Sequence, residues 1–576
     1  MDFKDMFDYW LNDNYFDEKT KKELKSIIDN EVEIKERFYK DLEFGTGGLR
    51  GIIGAGTNRM NIYTVRKATQ GLANYIVQQG GESKGVAIAY DSRIMSPEFA
   101  DEAALCLNAN GVETYIFEAL RPTPELSFAV RELGCIAGIV ITASHNPSEY
   151  NGYKVYWEDG AQITAPKDKE IIAEVKKVKD FCSVKTISKE QACELGLYKI
   201  IGKEIDDRYN EELHKLTINR KVIDDVSDSM TIVYTPLHGT GNVPVQRILN
   251  ELGFKNVFVV SEQEEPDGKF STVVSPNPED AKAFTMALEL AKKVGADIVL
   301  ATDPDADRLG VYAKDLKSGE YKSFTGNMSG MVIADYMISQ RKEKGTLPQN
   351  GALIKTIVTT NMANVLSNNY GIHLIEVLTG FKYIGEQIKF FEENDTFQYL
   401  FGLEESYGCL AGTYARDKDA VSAVMMLCEV AAYCKCNHMT LWDYMLKLYD
   451  QYGYFKEDLL SFTLKGIDGI ERIHRIMQNF REKPLRTIGG LKVLRIRDYQ
   501  KGQIKNQMSG EVKSTGLPVS NVLYFDLEDD AWCCVRPSGT EPKIKFYMGV
   551  KARNLQESNE KCELMKKEIE SIVINV

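Results

Sequence analysis

The chain has 576 residues, and at roughly 150 residues per domain this length predicts about four domains. Hydrophobic residues make up 43% and charged residues 27% of the chain, which is typical of a folded globular protein and excludes a disordered one. The 71 Lys and Arg residues against 84 Asp and Glu residues give a net charge of −13. Because this acidic excess is spread along the chain, neither nucleic acid nor an anionic membrane is expected as a partner.

The 11 cysteines are scattered and contain no CxxC pair, so we expect reduced, mostly buried thiols rather than a disulfide framework. The N-terminus is acidic where a signal peptide needs a basic stretch and an apolar core. The most apolar long stretch, residues 420–434, is interrupted by Glu429 and is shorter than the roughly 20 residues of a membrane span. A cytoplasmic protein is expected.

Short β-branched runs alternate with helical patterns along most of the chain, which predicts α/β layers. The predicted strands are residues 85–89, 136–142, 231–234, 257–260, 298–301, 353–358 and 373–377. A charged, amphipathic helical lead-in is predicted over residues 16–42. From residue 491 the pattern changes to strands with short turns and a final helix over 554–572, which predicts a smaller α+β domain. The predicted domains are 1–205, 206–322, 323–458 and 459–576.

The first candidate loop is TASHNP, residues 142–147, directly after a predicted strand. Ligand sites in open α/β sheets gather at the carboxyl ends of strands, where Ser144 and His145 stand side by side. The pattern allows a nucleophilic serine, or a polar turn in which Ser144 caps a helix. It is not a GxSxG elbow, which argues against a hydrolase triad. Lys154, a few residues on, is a candidate general base if burial lowers its pKa.

The second loop carries carboxylates at alternating positions, Asp303, Asp305 and Asp307. Such carboxylates repel one another unless a divalent cation lies among them, so the pattern predicts a Mg²⁺ site, with a purely structural acidic turn as the alternative. A calcium EF-hand is excluded, because Arg308 and Lys314 stand where that loop needs glycine and glutamate. Three carboxylates leave metal positions open for a phosphoryl oxygen, which points to phosphate chemistry.

The third loop is GLEESYG, residues 402–408, in which Glu404 and Ser406 offer the acceptors and donor that sugar hydroxyls require. A solvated turn is the alternative. Neighbouring segments add small polar groups and a cation suited to a phosphate, namely Thr379, Gly380 and Lys418.

The fourth loop is VRPSGTEP, residues 535–542. The guanidinium of Arg536 can hold a phosphate through two hydrogen bonds. The hydroxyls of Ser538 and Thr540, with the amides around Gly539, form an anion-binding nest. This composition predicts a phosphate site.

A glycine-rich segment, residues 45–51, has Arg50 at its rim. Glycine-rich turns are common, and this one lacks the Lys-Ser/Thr ending of a Walker loop. ATP binding is therefore not predicted.

Together, the loops TASHNP, DPDADR, EES and RPSGTEP resemble those of the α-D-phosphohexomutase family, which contains phosphoglucomutases and phosphomannomutases. They occur in the family's order, one per predicted domain, and the resemblance extends over nearly the whole chain. It implies three related α/β domains with mixed sheets and a TATA-box-binding-like α+β last domain around a central cleft. The chain length and the motif GTGGLRG resemble the branch of bacterial phosphoglucomutases and phosphopentomutases more than the shorter phosphomannomutases. Pro304 stands where the metal loop often has glycine, but this position contributes backbone at most.

The resemblance implies that Ser144 is phosphorylated in the active enzyme. His145 and Lys154 would be acid/base partners, Arg308 would contact the transferring group, and Arg50 would lie by the phosphoserine. The Mg²⁺ ligands would be Ser144, Asp303, Asp305 and Asp307.

The resemblance also implies how the sugar is bound. Glu404 and Ser406 would hold its 3- and 4-hydroxyls. The phosphate that is not transferred would be held by Arg536, Ser538, Gly539 and Thr540. Thr379, Gly380 and Lys418 would complete the substrate-binding residues.

These implications predict interconversion of glucose 1-phosphate and glucose 6-phosphate, with Mg²⁺ as cofactor and glucose 1,6-bisphosphate as intermediate and activator. Phosphopentomutase or phosphomannomutase activity is the alternative, because one or two hydrogen bonds set such discrimination. A phosphatase and a non-catalytic phosphosugar-binding protein are the rival classes. The expected partner is a small phosphosugar, without nucleic acid or membrane, bound to a monomer or homodimer.

Overall fold

A computed structural model describes residues 2–45, 48–464, 466–538 and 543–575. The chain forms two compact units. Unit 1 contains Met1–Thr325, Phe381–Tyr399 and Ser406–Leu441. Unit 2 contains Gly326–Gly380, Leu400–Glu405 and Trp442–Val576.

Unit 1 begins with three short helices, α1 (Phe3–Asn12), α2 (Glu18–Lys25) and α3 (Glu31–Phe38). The helical lead-in predicted over 16–42 is present as α2 and α3, because the side chains of Asp17 and Asn30 accept hydrogen bonds from backbone amides and each starts a helix. The apolar faces meet around the fully buried Trp10, whose ring lies 4.3 Å from that of Phe16. The ring of Trp10 also lies 5.4 Å from that of Tyr63, so these helices pack onto the first α/β layer.

The first sheet of unit 1 has the order β1-β5-β4-β2-β3-β6. Its strands are β1 (Gly48–Ile52), β2 (Val86–Tyr90), β3 (Thr114–Phe117), β4 (Ala137–Ile141), β5 (Tyr150–Trp157) and β6 (Tyr198–Ile201). The associated helices are α4 (Ile62–Gln78), α5 (Ser96–Ala109), α6 (Thr123–Glu132), α7 (Lys167–Lys177), α8 (Lys189–Glu194) and α9 (Lys203–His214). Helix α10 (Arg220–Val226) follows them and precedes the second sheet. The pairs among β4, β2, β3 and β6 are parallel, whereas β4–β5 and β5–β1 are antiparallel. The sheet is mixed, as expected.

The second sheet has the order β11-β10-β9-β7-β8. Its strands are β7 (Thr231–Thr235), β8 (Asn256–Val259), β9 (Ile298–Thr302), β10 (Leu309–Lys314) and β11 (Tyr321–Phe324), with helices α11 (Asn242–Glu251), α12 (Ser261–Glu264) and α13 (Thr285–Val294). The pairs of β7 with β8 and β9 are parallel, and β9–β10 and β10–β11 are antiparallel. The turn between β9 and β10 is the predicted metal loop.

Unit 2 opens with α14 (Gly326–Glu343), β12 (Gly351–Thr356), α15 (Met362–Tyr370) and β13 (His373–Val377). Strands β12 and β13 pair in parallel, as the alternating pattern predicts. The chain continues through α16 (Phe381–Asn394), β14 (Gln398–Glu404), β15 (Gly408–Ala411), α17 (Ala420–Cys436) and α18 (Leu441–Tyr452), of which α16, β15 and α17 belong to unit 1.

The tail of unit 2 is one antiparallel sheet with the order β16-β23-β22-β21-β18-β19-β20, while β17 pairs with β18. The strands are β16 (Tyr454–Thr463), β17 (Thr487–Ile488), β18 (Leu491–Asp498), β19 (Gln503–Asn506), β20 (Val512–Ser514), β21 (Leu523–Leu527), β22 (Trp532–Pro537) and β23 (Lys543–Ala552). Helices α19 (Gly466–Glu482) and α20 (Leu555–Asn575) contribute Ile476 and Met565 to a core that includes Phe525 and Phe546. The predicted α+β tail is confirmed.

In the described part of the chain, no single helix is long and apolar enough to cross a membrane, and α17 and α18 pass that test only together, as a bent pair.

Candidate active site

Ser144 lies in the tight loop after β4, at the carboxyl end of a parallel strand. Its backbone is left-handed, with φ of 53°, a conformation that costs a non-glycine residue about 1–3 kcal/mol and persists only where the surroundings enforce it. Its Oγ donates a hydrogen bond to Asp303 Oδ2 at 2.8 Å and lies 3.1 Å from His145 Nδ1. The structure therefore brings the serine of one predicted loop onto an aspartate of another.

Arg93, which is only 1% exposed, holds the serine loop through its backbone. Its guanidinium donates to the carbonyl oxygens of Ser144 and Asn146, both at 2.5 Å. It also donates to the carbonyl oxygens of Pro147 at 2.8 Å and Tyr150 at 3.1 Å. The rigid fork of a guanidinium suits this task, because several donors act from one plane.

Asp91 completes the support of this loop. Its Oδ2 lies 3.3 Å from Arg93 Nε and accepts a hydrogen bond from Thr142 Oγ1 at 2.6 Å. Thr142 Oγ1 in turn accepts one from the amide of Ser144 at 2.8 Å. Burial raises the pKa of Asp91, although Arg93 and Thr142 oppose the shift. A buried polar chain thus connects the end of β2 with the backbone of the candidate nucleophile.

Strand β5 carries Lys154 to the same place, where its Nζ lies 2.7 Å from Asp305 Oδ2 and 3.4 Å from Asp307 Oδ2. On the same strand, Gly152 allows the close approach of the serine loop, because a Cβ there would lie 2.4 Å from the carbonyl oxygen of Thr142. Arg50, opposite Gly152 on β1, donates to the side-chain oxygen of Asn146 at 3.3 Å. The antiparallel β1–β5 pair thus places Arg50 at the serine loop and Lys154 at the metal loop.

The carboxylates of the metal loop are buried, with Asp303 and Asp305 0% and Asp307 2% exposed. They offer one ligand atom each within 4.8 Å of one another. Ala306 has a φ of 51°, so the loop turns sharply between the second and third aspartates. This geometry is that of a cation site built from hard oxygen ligands.

The hydrogen bonds show which carboxylate oxygens are free for a metal. Asp303 Oδ1 accepts from the amides of Asp307 and Arg308 at 3.0 Å, which leaves Oδ2 with the hydroxyl of Ser144. The Oδ2 atoms of Asp305 and Asp307 face lysines, while both Oδ1 atoms are buried without a hydrogen-bond partner among the described residues. Such orphaned acceptors are costly unless a ligand satisfies them, so the donor set fits a divalent cation.

The electrostatics of the aspartates are uneven. Burial, and then the charges of the other two aspartates, raise the pKa of Asp303 well above its usual range. Burial also acts to raise the pKa of Asp307, but Lys418, Lys154 and Arg308 hold it far below its usual range. Burial acts to lower the pKa of Lys154, yet the neighbouring aspartates outweigh it and the net pKa is raised. The sequence made Lys154 a candidate general base only if burial lowered its pKa, and the structure does not meet this condition.

His145 is a neutral imidazole near pH 7, because burial, and then the charges of Arg308 and Arg50, lower its pKa well below the usual range. Its backbone oxygen accepts a hydrogen bond from Ser275 Oγ at 2.7 Å. Its Nδ1 lies 3.1 Å from Ser144 Oγ, which is within the reach that an acid/base partner of the serine oxygen needs.

Two further cations lie at the aspartates. Arg308 pairs with Glu279 and has its Nε 3.7 Å from Asp307 Oδ1. Lys418, predicted as a phosphate-binding residue, has its Nζ 2.9 Å from Asp307 Oδ2 and 3.5 Å from Asp417 Oδ1. Together with Lys154, they balance the charge of the carboxylate cluster.

The residues predicted to bind sugar are distributed over both units. In unit 2, Thr379 and Gly380 lie in the turn after β13, and the 6% exposed Glu404 ends β14. Ser406 lies in the following turn and belongs to unit 1. Next to Glu404, burial and then the charge of that residue raise the pKa of Glu405 to about 7.

In the phosphate loop, Arg536 is half-buried on β22, and Ser538 follows the strand with its amide donating to the carbonyl oxygen of Lys543 at 2.7 Å. Gly539 and Thr540, which were predicted for the same site, lie outside the described residues. Of the predicted phosphate-binding residues, the structure therefore describes the guanidinium of Arg536 and the hydroxyl of Ser538, both in unit 2.

Sequence reasoning missed Arg93, Asp91, Thr123 and Glu279, all of which contact the loops described above. A signal was available for three of them. Asp91 and Arg93 directly follow β2 and Thr123 follows β3, and the carboxyl ends of parallel strands are where ligand sites gather. For Glu279 the sequence offered no comparable signal.

Comparison with protein-family models finds matches in consecutive parts of the chain. Residues 41–181 match the model of phosphoglucomutase/phosphomannomutase alpha/beta/alpha domain I. Residues 207–319 match domain II and residues 325–452 match domain III of the same description. The matches cover more than half of the chain.

Individual relatives agree. A phosphoglucomutase of Staphylococcus saprophyticus is 36% identical over 542 residues, which cover 94% of this chain and 96% of that protein. One from Staphylococcus aureus strain MSSA476 is 37% identical over 538 residues, which cover 93% and 94%. In fold, the chain is similar to the crystal structure of the Paramecium phosphoglucomutase pp63/parafusin, with a TM-score of 0.67, 17% identity and coverage of 93% and 95%.

Proposed function

Since this chain belongs to the phosphoglucomutase/phosphomannomutase family of α-D-phosphohexomutases, we propose that it interconverts glucose 1-phosphate and glucose 6-phosphate through a phosphorylated Ser144. The observation that carries the proposal is the hydrogen bond of Ser144 Oγ to Asp303 within a buried three-aspartate cluster. Relatives named phosphoglucomutase that align over most of the chain support glucose as the sugar.

The site residues take the following roles. Ser144 carries the phosphoryl group, and Asp303, Asp305 and Asp307 hold Mg²⁺ beside it. When bound, Mg²⁺ supplies positive charge that offsets the aspartates and the phosphoryl oxygens during transfer. Arg50 lies at the serine loop and Arg308 at the metal loop, and both stabilise the phosphoryl oxygens.

In the first half-reaction, Arg536 and Ser538, together with Gly539 and Thr540, hold the phosphate of glucose 1-phosphate. His145, whose Nδ1 lies 3.1 Å from Ser144 Oγ, is the base that takes the proton of the 6-hydroxyl as that oxygen attacks the phosphorus. The bond from phosphorus to Ser144 Oγ breaks, the protonated base gives its proton to the serine oxygen, and glucose 1,6-bisphosphate forms.

In the second half-reaction the bisphosphate is turned around, so that its 6-phosphate is held and its 1-phosphate meets Ser144. The serine oxygen gives its proton to the base as it attacks this phosphorus, the bond to the C1 oxygen breaks, and the base passes the proton to that oxygen. Glu404 and Ser406 contact the 3- and 4-hydroxyls, with Thr379, Gly380 and Lys418 as further contacts, and such contacts serve either orientation. Free glucose 1,6-bisphosphate is then the activator, because it phosphorylates any enzyme that has lost its phosphoryl group.

We also propose that the chain has the four predicted domains, 1–205, 206–322, 323–458 and 459–576. The order of the family matches and the separate antiparallel sheet of the tail support this division.

The test is a coupled assay of glucose 6-phosphate formation from glucose 1-phosphate, with Mg²⁺ and a trace of glucose 1,6-bisphosphate. We expect turnover that falls by at least roughly 10⁴-fold in Ser144→Ala, because alanine has no side-chain oxygen to carry the phosphoryl group. The exposed-loop variant Ser318→Ala is the matched control and should keep full activity. Chelation by EDTA should abolish turnover, and added Mg²⁺ should restore it.

Mannose 1-phosphate and ribose 1-phosphate, assayed in parallel, distinguish the alternatives. Faster conversion of either one assigns the chain to a different mutase of the same family. Steady release of inorganic phosphate without sugar isomerisation would instead indicate a phosphatase. If phosphorylated, Mg²⁺-supplemented enzyme isomerises none of the three sugars, the proposal is wrong.

A further inference from the structure

Thr123 contacts the aspartate cluster although it belongs to none of the predicted loops. It is the first residue of α6 and is 0% exposed. Its Oγ1 donates a hydrogen bond to Asp305 Oδ2 at 2.9 Å, and its amide donates to the carbonyl oxygen of Asp305 at 2.9 Å. One residue at the start of a helix thus holds both the backbone and the side chain of a proposed metal ligand.

The second donor to the same oxygen is Lys154, whose Nζ lies 2.7 Å from Asp305 Oδ2. Asp305 Oδ1 is buried and has no hydrogen-bond partner in the described part of the chain. The two oxygens of this carboxylate are therefore distinguished by their surroundings, with Oδ2 bound to protein donors and Oδ1 left for a cation.

We propose that Thr123 is a positioning residue for the metal, which fixes the rotation of the Asp305 carboxylate so that Oδ1 is presented to the bound cation. This inference deepens the proposed function, since it rests on the metal site assigned there. Removing a group that hydrogen-bonds to a metal ligand and orients it typically weakens metal binding by about 10- to 100-fold.

The chemistry of a threonine suits this role better than a second cation would. Its hydroxyl donates a hydrogen bond without adding positive charge that would repel a divalent metal. Lys154 sits on a flexible stem and is able to follow either oxygen of the carboxylate, whereas Thr123 lies between Pro122 and Pro124 and is anchored by its own amide. Removing only the hydroxyl should therefore free the carboxylate to rotate while the fold is kept.

The experiment measures Mn²⁺ binding to the full-length, dephosphorylated protein by the electron paramagnetic resonance signal of free Mn²⁺. Thr123→Val removes the hydroxyl at nearly constant volume, and Thr123→Ser restores it. Thr114→Val is the matched control, because Thr114 is also 0% exposed in unit 1 and its hydroxyl hydrogen-bonds to Leu197 and Asn108 instead. Circular dichroism in EDTA checks the fold, and Thr123→Ala replaces the valine variant if its spectrum differs from that of the wild type.

We expect the Kd for Mn²⁺ to rise about 10-fold or more in Thr123→Val, and to stay within about threefold of the wild-type value in Thr123→Ser and Thr114→Val. The Mg²⁺ concentration for half-maximal activity should rise in parallel, with KM for the sugar phosphate unchanged. Wild-type affinity in Thr123→Val, or equal weakening in Thr123→Ser or Thr114→Val, would overturn the inference. Absence of Mn²⁺ binding by the wild type would instead overturn the proposed metal site, and the inference with it.

Discussion

The left-handed backbone of Ser144 is maintained by groups that lie outside its own loop. Arg93 binds the carbonyl oxygens on the loop, and Asp91 reaches the Ser144 amide through Thr142. Because a strained residue needs surroundings that over-determine it, the position of Ser144 Oγ depends on this buried pair as much as on the TASHNP motif.

Replacing Arg93 tests this dependence. Arg93→Met should destabilise the protein by about 3–5 kcal/mol, because it leaves Asp91 buried without its charged partner and four carbonyl oxygens without a donor. The measurement is the midpoint of denaturant unfolding, together with kcat.

The double variant Arg93→Met, Asp91→Asn separates the two causes. It should recover part of the stability, since no unpaired charge remains, but not the kcat, since the carbonyl oxygens stay unbound. Recovery of kcat in the double variant, or no loss of stability in the single one, would contradict this account.

Strand β16 carries Glu457 into a polar cluster of unit 2. Its carboxylate accepts a hydrogen bond from Asn327 Nδ2 on α14 at 3.2 Å. Burial raises the pKa of Glu457 to about 7, against the opposing effects of Thr360, Lys355, Asn327 and Lys456. The strand that begins the tail sheet therefore contains a carboxyl group that titrates near neutral pH.

This titration has a definite effect on stability. Between its ordinary pKa of 4.5 and about 7, Glu457 binds more protons in the folded than in the unfolded state, so its contribution to stability falls as pH rises through this window. Glu457→Gln has no titratable group at this position, so it should not lose this contribution to stability as the pH rises. From pH 5 to pH 8 the free energy of unfolding of Glu457→Gln relative to wild type should therefore grow by about 1–3 kcal/mol.

Denaturant unfolding across that pH range is the measurement, and Glu511→Gln, at an exposed position of the same sheet region, is the control. The control should follow the wild-type pH profile. Parallel profiles for Glu457→Gln and wild type would show that Glu457 does not titrate differently on folding.

At the scale of the whole molecule, the proposed tasks are assigned to different units. Ser144, the aspartates and the surrounding cations belong to unit 1, whereas Arg536 and Ser538 belong to unit 2. Phosphoryl transfer and metal binding are thus expected to be separable by mutation from recognition of the phosphate that is not transferred.

Arg536→Ala tests that separation. Loss of a charge-assisted hydrogen bond costs about 1.5–3 kcal/mol, so kcat/KM should fall roughly 10- to 100-fold for both glucose 1-phosphate and glucose 6-phosphate. Mn²⁺ binding should stay at the wild-type value. The exposed Arg553→Ala is the control and should leave all three quantities unchanged. A substrate-specific loss, or weakened Mn²⁺ binding, would contradict the assigned role.

The sequence by itself determined the architecture and the chemical character of the site. Alternation of β-branched runs with helical patterns predicted the α/β layers, and the strand predicted at 373–377 is β13 to the residue. These patterns are local, because side-chain periodicity reports which face of an element is buried. The acidic loop likewise predicted a cation from composition alone, because repulsion among close carboxylates is independent of the rest of the fold.

Only the tertiary structure decided how the loops meet and which side chains support them. The hydrogen bonds from Ser144 to Asp303 and from Thr123 to Asp305 join residues far apart in the chain, and nothing in their local sequence specifies the partner. The pKa of Lys154 was decided in the same way, since burial and the nearby aspartates act in opposite directions and their balance depends on distances. A sequence pattern shows local periodicity and composition, whereas the contacts between distant residues and the balance of their charges arise only when the chain has folded.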